Sequence, residues 1–210
     1  MTRTTRTNKV ASALFAATFG LVSLAAAEEP KASFHALAVN MSNVGEPGAV
    51  PIDINIERWT AEEERARLRE ALAEKGTEAL MSELQKLKRA GSIRASSGGL
   101  GWDIQYARQE PLPGGGQRII IATDRPMSFY ERANRPQSAD YEFLVAEMHI
   151  GPDGKGQGTL VPMAKVNYDK SAGVIEIENY ANEPVRLSAV TEIRPKVDKD
   201  KATVKQDKKK

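Results

Sequence analysis

The chain has 210 residues, 28% of them charged and 40% hydrophobic, with no cysteine and two histidines. The missing cysteines exclude a disulfide framework, a thiol nucleophile, a thiolate metal site and lipid attachment through cysteine. A formal net charge of +2 conceals an acidic body: residues 28–193 carry 19 basic against 25 acidic side chains, while 194–210 hold eight basic ones. An acidic body fits the phosphate backbone poorly, so no nucleic-acid partner is expected.

The first residues read as an address. Arg3, Arg6 and Lys9 precede an apolar run from Val10 to Leu24, and Ala25-Ala26-Ala27 gives way to Glu28-Glu29-Pro30. A charged start, a short apolar run and an A-x-A site make a signal peptide over 1–27, cleaved after Ala27. The run is shorter than the roughly 20 residues a membrane span needs, so the mature protein is expected to be periplasmic or secreted, without a transmembrane segment. Residues 28–193 are long enough for a single domain. The lysine-rich stretch 194–210 has too little apolar surface to offset its ordering entropy and reads as a disordered basic tail. A solubilising role accounts for it; an anionic envelope polymer or lipid headgroup is the alternative partner.

Ser33 to Met41 alternates as a strand, with Phe34, Ala36 and Ala38 on one face and His35, Leu37 and Val39 on the other. Val50 to Trp59 alternates more cleanly, Ile52, Ile54 and Ile56 opposing Asp53, Asn55 and Glu57, and the two form a hairpin with one wet face. Thr60-Ala61-Glu62-Glu63 fits a capping box that starts a helix at Ala61 and runs to Gly76. A second helix from Thr77 or Glu78 places Leu80, Leu84 and Leu87 at helical spacing before Gly91. This αα-hairpin, spanning about 61–89, is expected to cover one end of a sheet.

Strands resume at Gly91 to Ala95. Ser96-Ser97-Gly98-Gly99-Leu100-Gly101 lacks both the G-x-G-x-x-G spacing and a P-loop lysine, so it is a connection and no phosphate cradle. Trp102 to Gln109 puts Trp102, Ile104 and Tyr106 on one face, and Pro111 to Gly116 turns the chain into the strand around Ile119–Ile121. Tyr141 to Ile150 follows, then a glycine-rich turn over 151–158 that lacks the later acidic ligands of a calcium loop. Thr159 to Tyr168 is a strand in which Pro162 marks a bulge or an edge. Val174 to Tyr180 and Val185 to Ile193 complete about nine strands, close turns making them an antiparallel meander. The fold class is mainly β, α+β by content, a barrel or a sandwich with an inserted αα-hairpin.

Two sets of side chains are candidates for chemistry. Arg118, Arg125, Arg132 and Arg135, with Phe129, Tyr130 and Tyr141, combine planar cations and flat apolar surface suited to a small anionic or sugar-like ligand. Asp124, Glu131, Asp140 and Glu142 lie close enough in sequence to neutralise those arginines instead. Glu147 and His149 share a strand face and form the only acid-base candidate, with a hydrolase or lyase as its activity. Serine-hydrolase signatures and H-E-x-x-H are absent, and no cofactor or metal site is legible. Glu176 and Glu178 also share a face, as an edge strand would allow.

The runs Ala122-Thr123-Asp124-Arg125-Pro126-Met127-Ser128-Phe129, Ser138-Ala139-Asp140-Tyr141-Glu142-Phe143, Glu178-Asn179-Tyr180-Ala181 and Pro184-Val185-Arg186-Leu187 resemble an uncharacterised family of small secreted bacterial proteins of unknown function. The resemblance implies an exported single-domain protein and carries no reaction, ligand or catalytic residue. The expectation is a non-catalytic binding or envelope-associated protein, whose partner is a small anionic or sugar-like ligand, an envelope polymer or another protein. The leucine face of the helices offers a surface for such a protein partner.

Overall fold

The computed structural model describes residues 31–42, 47–96, 98, 101–125, 141–181 and 183–193. The predicted signal peptide and basic tail, and Phe129, Tyr130, Arg132 and Arg135, lie outside the described residues. Among the described residues, ten strands and two helices follow one another as β1 (Ala32–Asn40), β2 (Gly48–Ile56), α1 (Glu62–Lys75), α2 (Thr77–Gln85), β3 (Gly91–Ala95), β4 (Trp102–Ile104), β5 (Tyr106–Pro111), β6 (Gln117–Thr123), β7 (Phe143–Ile150), β8 (Lys155–Asp169), β9 (Val174–Asn179) and β10 (Val185–Glu192).

All pairings are antiparallel, in the order β4-β3-β2-β1-β10-β8-β7-β6-β5, with β9 on β8. The two ends of that path, β4 and β5, are consecutive in the chain, so the sheet curls into a nearly closed barrel whose seam is one bent strand. The bend is at Gln105, whose N–H bonds the Ala122 carbonyl. It advances the side-chain phase by one residue. Ile104 and Ala107 are therefore both fully buried in the barrel, while Tyr106 turns outward to the helices. The expectation that Trp102, Ile104 and Tyr106 share a face fails here, and the predicted single strand becomes two.

Alternation fills the interior as expected. Phe34, Ile54, Ile93, Ile121, Met148 and Leu160 are buried in the barrel, while His35, Asp53, Arg118 and Glu147 stand on its outer face. The meander is interrupted at its last step, because β10 inserts between β8 and β1. Strand β8 is longer than expected: only the tip of the glycine-rich turn is a turn, and Gly156–Gly158 already pair with β7. Gly156 is required there, since a Cβ would lie 1.9 Å from the His149 carbonyl oxygen. The bulge expected at Pro162 is present; between Phe143 and Val145 the partners on β8 jump from Ala164 to Val161.

The helices lie against the outer wall of the barrel and do not cover its end. Leu68, Leu72, Met81 and Leu84 bury against Phe143, Val145, Ala164 and Val166. Gly76 joins the helices at φ +83, a conformation only glycine adopts cheaply. The capping box is shifted one residue from its expected place. Glu64 accepts from the Ala61 N–H at 2.9 Å, while Thr60 accepts the Ala107 N–H at 2.9 Å and so ties the helix entry to β5. Thr60 thus satisfies a buried strand edge, which displaced it from the capping role.

Candidate functional site: an arginine-rimmed groove between helices and barrel

The outward positions of β5 to β8 alternate with the interior ones, and the bulge at Pro162 keeps Val161, Ala164 and Val166 on the same outer face. Leucines at helical spacing on α1 and α2 face this wall without closing on it completely. A groove of about 350 Å³ remains, within the range of about 300–1,000 Å³ typical of small-molecule sites. Its floor is apolar, with Tyr106, Ile120, Phe143, Val145 and Val166 from the sheet and Leu72 and Leu84 from the helices. Ile175 and Ile177 of β9, each about half exposed, extend it at one side.

Four guanidinium groups line the same groove, those of Arg65, Arg69, Arg108 and Arg118, and no carboxylate lines it among the described residues. Their counter-charges sit behind them. Glu62 pairs with Arg65 and Arg69; Glu110 pairs with Arg108 at 2.6 Å and Arg118 at 3.2 Å; Glu147 pairs with Arg118 at 2.7 Å. Four cations thus face three carboxylates. The Nε–H groups of Arg108 and Arg118 are buried and have no acceptor among the described residues. Such an orphaned donor costs about 1–3 kcal/mol.

The electrostatics follow from this arrangement. The Arg118 hydrogen bond, aided by His149, holds the Glu147 carboxyl below the usual glutamate range, while Glu147 raises the Arg118 guanidinium further. Burial pushes the Tyr106 phenol up. Glu147 is therefore a fixed anion, poorly suited to taking protons at neutral pH. His149 Nε2 lies 2.7 Å from Glu147, which orients the imidazole, but among the described residues no hydroxyl nucleophile is hydrogen-bonded to that ring.

The two candidate sets from the sequence are redistributed. Arg118 belongs to the groove and is joined through Glu147 to His149. Arg125 and Tyr141 lie beyond the opposite end of β6, whose seven residues span roughly 20 Å. Arg125 donates to the Gly101 carbonyl at 3.0 Å; Tyr141 donates to Glu178 and packs edge-on against Tyr180 at 5.2 Å. The sequence reading missed Arg65, Arg69 and Arg108. The outward turn of Tyr106 that exposes Arg108 to the groove depends on the Gln105 bend, which no local pattern announces.

His35 forms a separate exposed cluster, 2.8 Å from Asp53, which also accepts from Ser96 at 3.0 Å. The carboxylate lies between serine and histidine, so His35 does not activate Ser96. Among the described residues no group of three potential ligands could hold a metal, and no helix is long and apolar enough to cross a membrane. Comparisons with protein-family profiles, with curated proteins and with solved structures return no match.

Proposed function

We propose that this chain is an exported, non-catalytic binding protein that takes up an anionic amphiphile, with the apolar body in the groove and the acidic group on Arg108 and Arg118. The observation that carries this reading is the set of four guanidinium groups, with no carboxylate among the described lining residues, around an apolar floor. Apolar surface supplies affinity and fixed donors supply orientation, the usual division of labour in small-molecule sites. Export rests on the charged, apolar and A-x-A sequence of residues 1–27, which would be removed. The small-secreted-protein resemblance agrees with that address.

Displacement of a dansyl-labelled fatty acid by laurate tests the reading. The wild type is expected to bind, and Arg118→Ala and Ile120→Asp each to weaken binding by about tenfold or more, roughly one charge-assisted hydrogen bond or one charge placed on apolar floor. Unchanged displacement in both variants would overturn it.

A further inference from the structure

The outer row of β7 does not stop at the groove. Phe143 and Val145 line the apolar floor, and the next outward positions on the same strand, Glu147 and His149, line a second groove of about 500 Å³ shared with β8 and β10. Its other walls are Gln157, Thr159, Arg186 and Ser188. The Arg118–Glu147 ion pair is the boundary between the two, at 2.7 Å. From Phe143 to His149 the combined trough is roughly 20 Å long, the rise of six strand residues.

The chemistry changes sharply across that boundary. The second groove offers a guanidinium, an imidazole, an amide and two hydroxyls, with the Glu147 carboxylate at its edge held in the ion pair with Arg118. Arg186 has no carboxylate within salt-bridge distance among the described residues, unlike the arginines of the apolar groove. Ser188 owes its place to a bulge: between Leu187 and Val190 the pairing with β8 slips by one residue, and Ala189 sits at φ +50. Ala189 is the only non-glycine residue with positive φ among those described, a conformation L side chains adopt at a cost. Bulges of this kind commonly re-aim a side chain beside a binding site.

We infer that the β7–β8–β10 groove is the head-group half of the same site, so the ligand is an anionic amphiphile whose head carries hydroxyls beyond its first acidic group. This rests on the amphiphile reading above. The chain of the ligand lies under the helices, and its phosphate or carboxylate lies at Arg118. A glycerol or sugar portion then reaches His149, Thr159 and Ser188, with Arg186 facing any second negative or electron-rich group. Unbranched fatty acids fill only the apolar half.

The test compares laurate with a monoacyl phosphatidylglycerol of the same chain length in displacement assays on the full chain. The glycerophospholipid is expected to bind the wild type at least tenfold more tightly. Arg186→Ala and Thr159→Val are expected to erase that advantage while leaving laurate binding unchanged, because both side chains are exposed and neither touches the apolar groove. Equal affinity of the two lipids for the wild type would overturn the head-group inference and leave the amphiphile reading intact. So would an advantage that survives both substitutions. Binding of neither lipid would remove the amphiphile reading and this inference together. Retained far-ultraviolet circular dichroism of each variant confirms that a lost advantage reflects the groove.

Discussion

Arg118 on β6 stands directly opposite His149 on β7, and both reach the same carboxylate, that of Glu147, at 2.7 Å. Glu110 on β5 stands on the other side of Arg118 in register and completes a cluster of three charges and one imidazole across three strands. Cross-strand opposition at short range makes these four residues one electrostatic unit.

Removing Arg118 is therefore expected to release Glu147. In Arg118→Ala the Glu147 carboxyl should titrate closer to the ordinary glutamate value of about 4.3 than it does in the wild type. Carbon-detected NMR titration of the side chain reads the change directly. An unmoved Glu147 midpoint would mean that His149 alone holds it down.

Acid should destabilise the barrel along a defined course. Glu147 is held low chiefly by Arg118, Glu64 chiefly by Arg58 and Asp53 chiefly by His35. A carboxyl depressed in the folded state contributes stability that is present above its unfolded pKa and lost as pH falls through its folded one. Thermal melts are expected to change little through these groups from pH 7 to about 5 and to fall below about pH 4. Glu64→Gln should flatten part of that acid limb, since its ion pair with Arg58 is the less exposed of those involving the three carboxylates.

Thr60 offers a stability test independent of charge. Thr60→Val removes the acceptor of the buried Ala107 N–H while keeping the side-chain volume, and should cost about 1–3 kcal/mol. For a chain of this size that is a lowered Tm of about 2–4 °C per kcal/mol by calorimetry. Thr60→Ser, which retains the hydroxyl, should restore most of it.

Gly156→Ala is expected to be far worse than its single methyl suggests. Backbone of β7 occupies the space a Cβ needs, so the strands must separate at the position where β8 meets both β7 and β10. Loss of soluble folded protein, or a large fall in the urea midpoint, is the expected reading. Gly76→Ala, strained in φ but open in space, should cost only about 1–3 kcal/mol.

Sequence patterning carried a mainly β fold, left open between barrel and sandwich, because burial on one face imposes period two, and β2 and β6 obey it plainly. Gly76 and the leucines at helical spacing carried the helix pair in the same way. What the pattern did not carry are the places where phase shifts. The Gln105 bend sends Tyr106 outward, and only Pro162 among the bulges has a local signature. Arg118 and Glu147 were recognisable one at a time as candidates, but their meeting depends on strand register, which is set by the interior isoleucines. Arg65 and Arg69 read as ordinary helix-surface charges because what they face is another element.

The pairing of β1 with β10 has a temporal meaning. Phe34 is held opposite Glu192, so β1 has only β2 beside it until β10 has been made. Contacts so distant in sequence are slow to form, and the gap between β1 and β8 stays open while every other neighbour can already zip locally. The domain matures late. The wall stays unfinished until β10 arrives, the key that locks it.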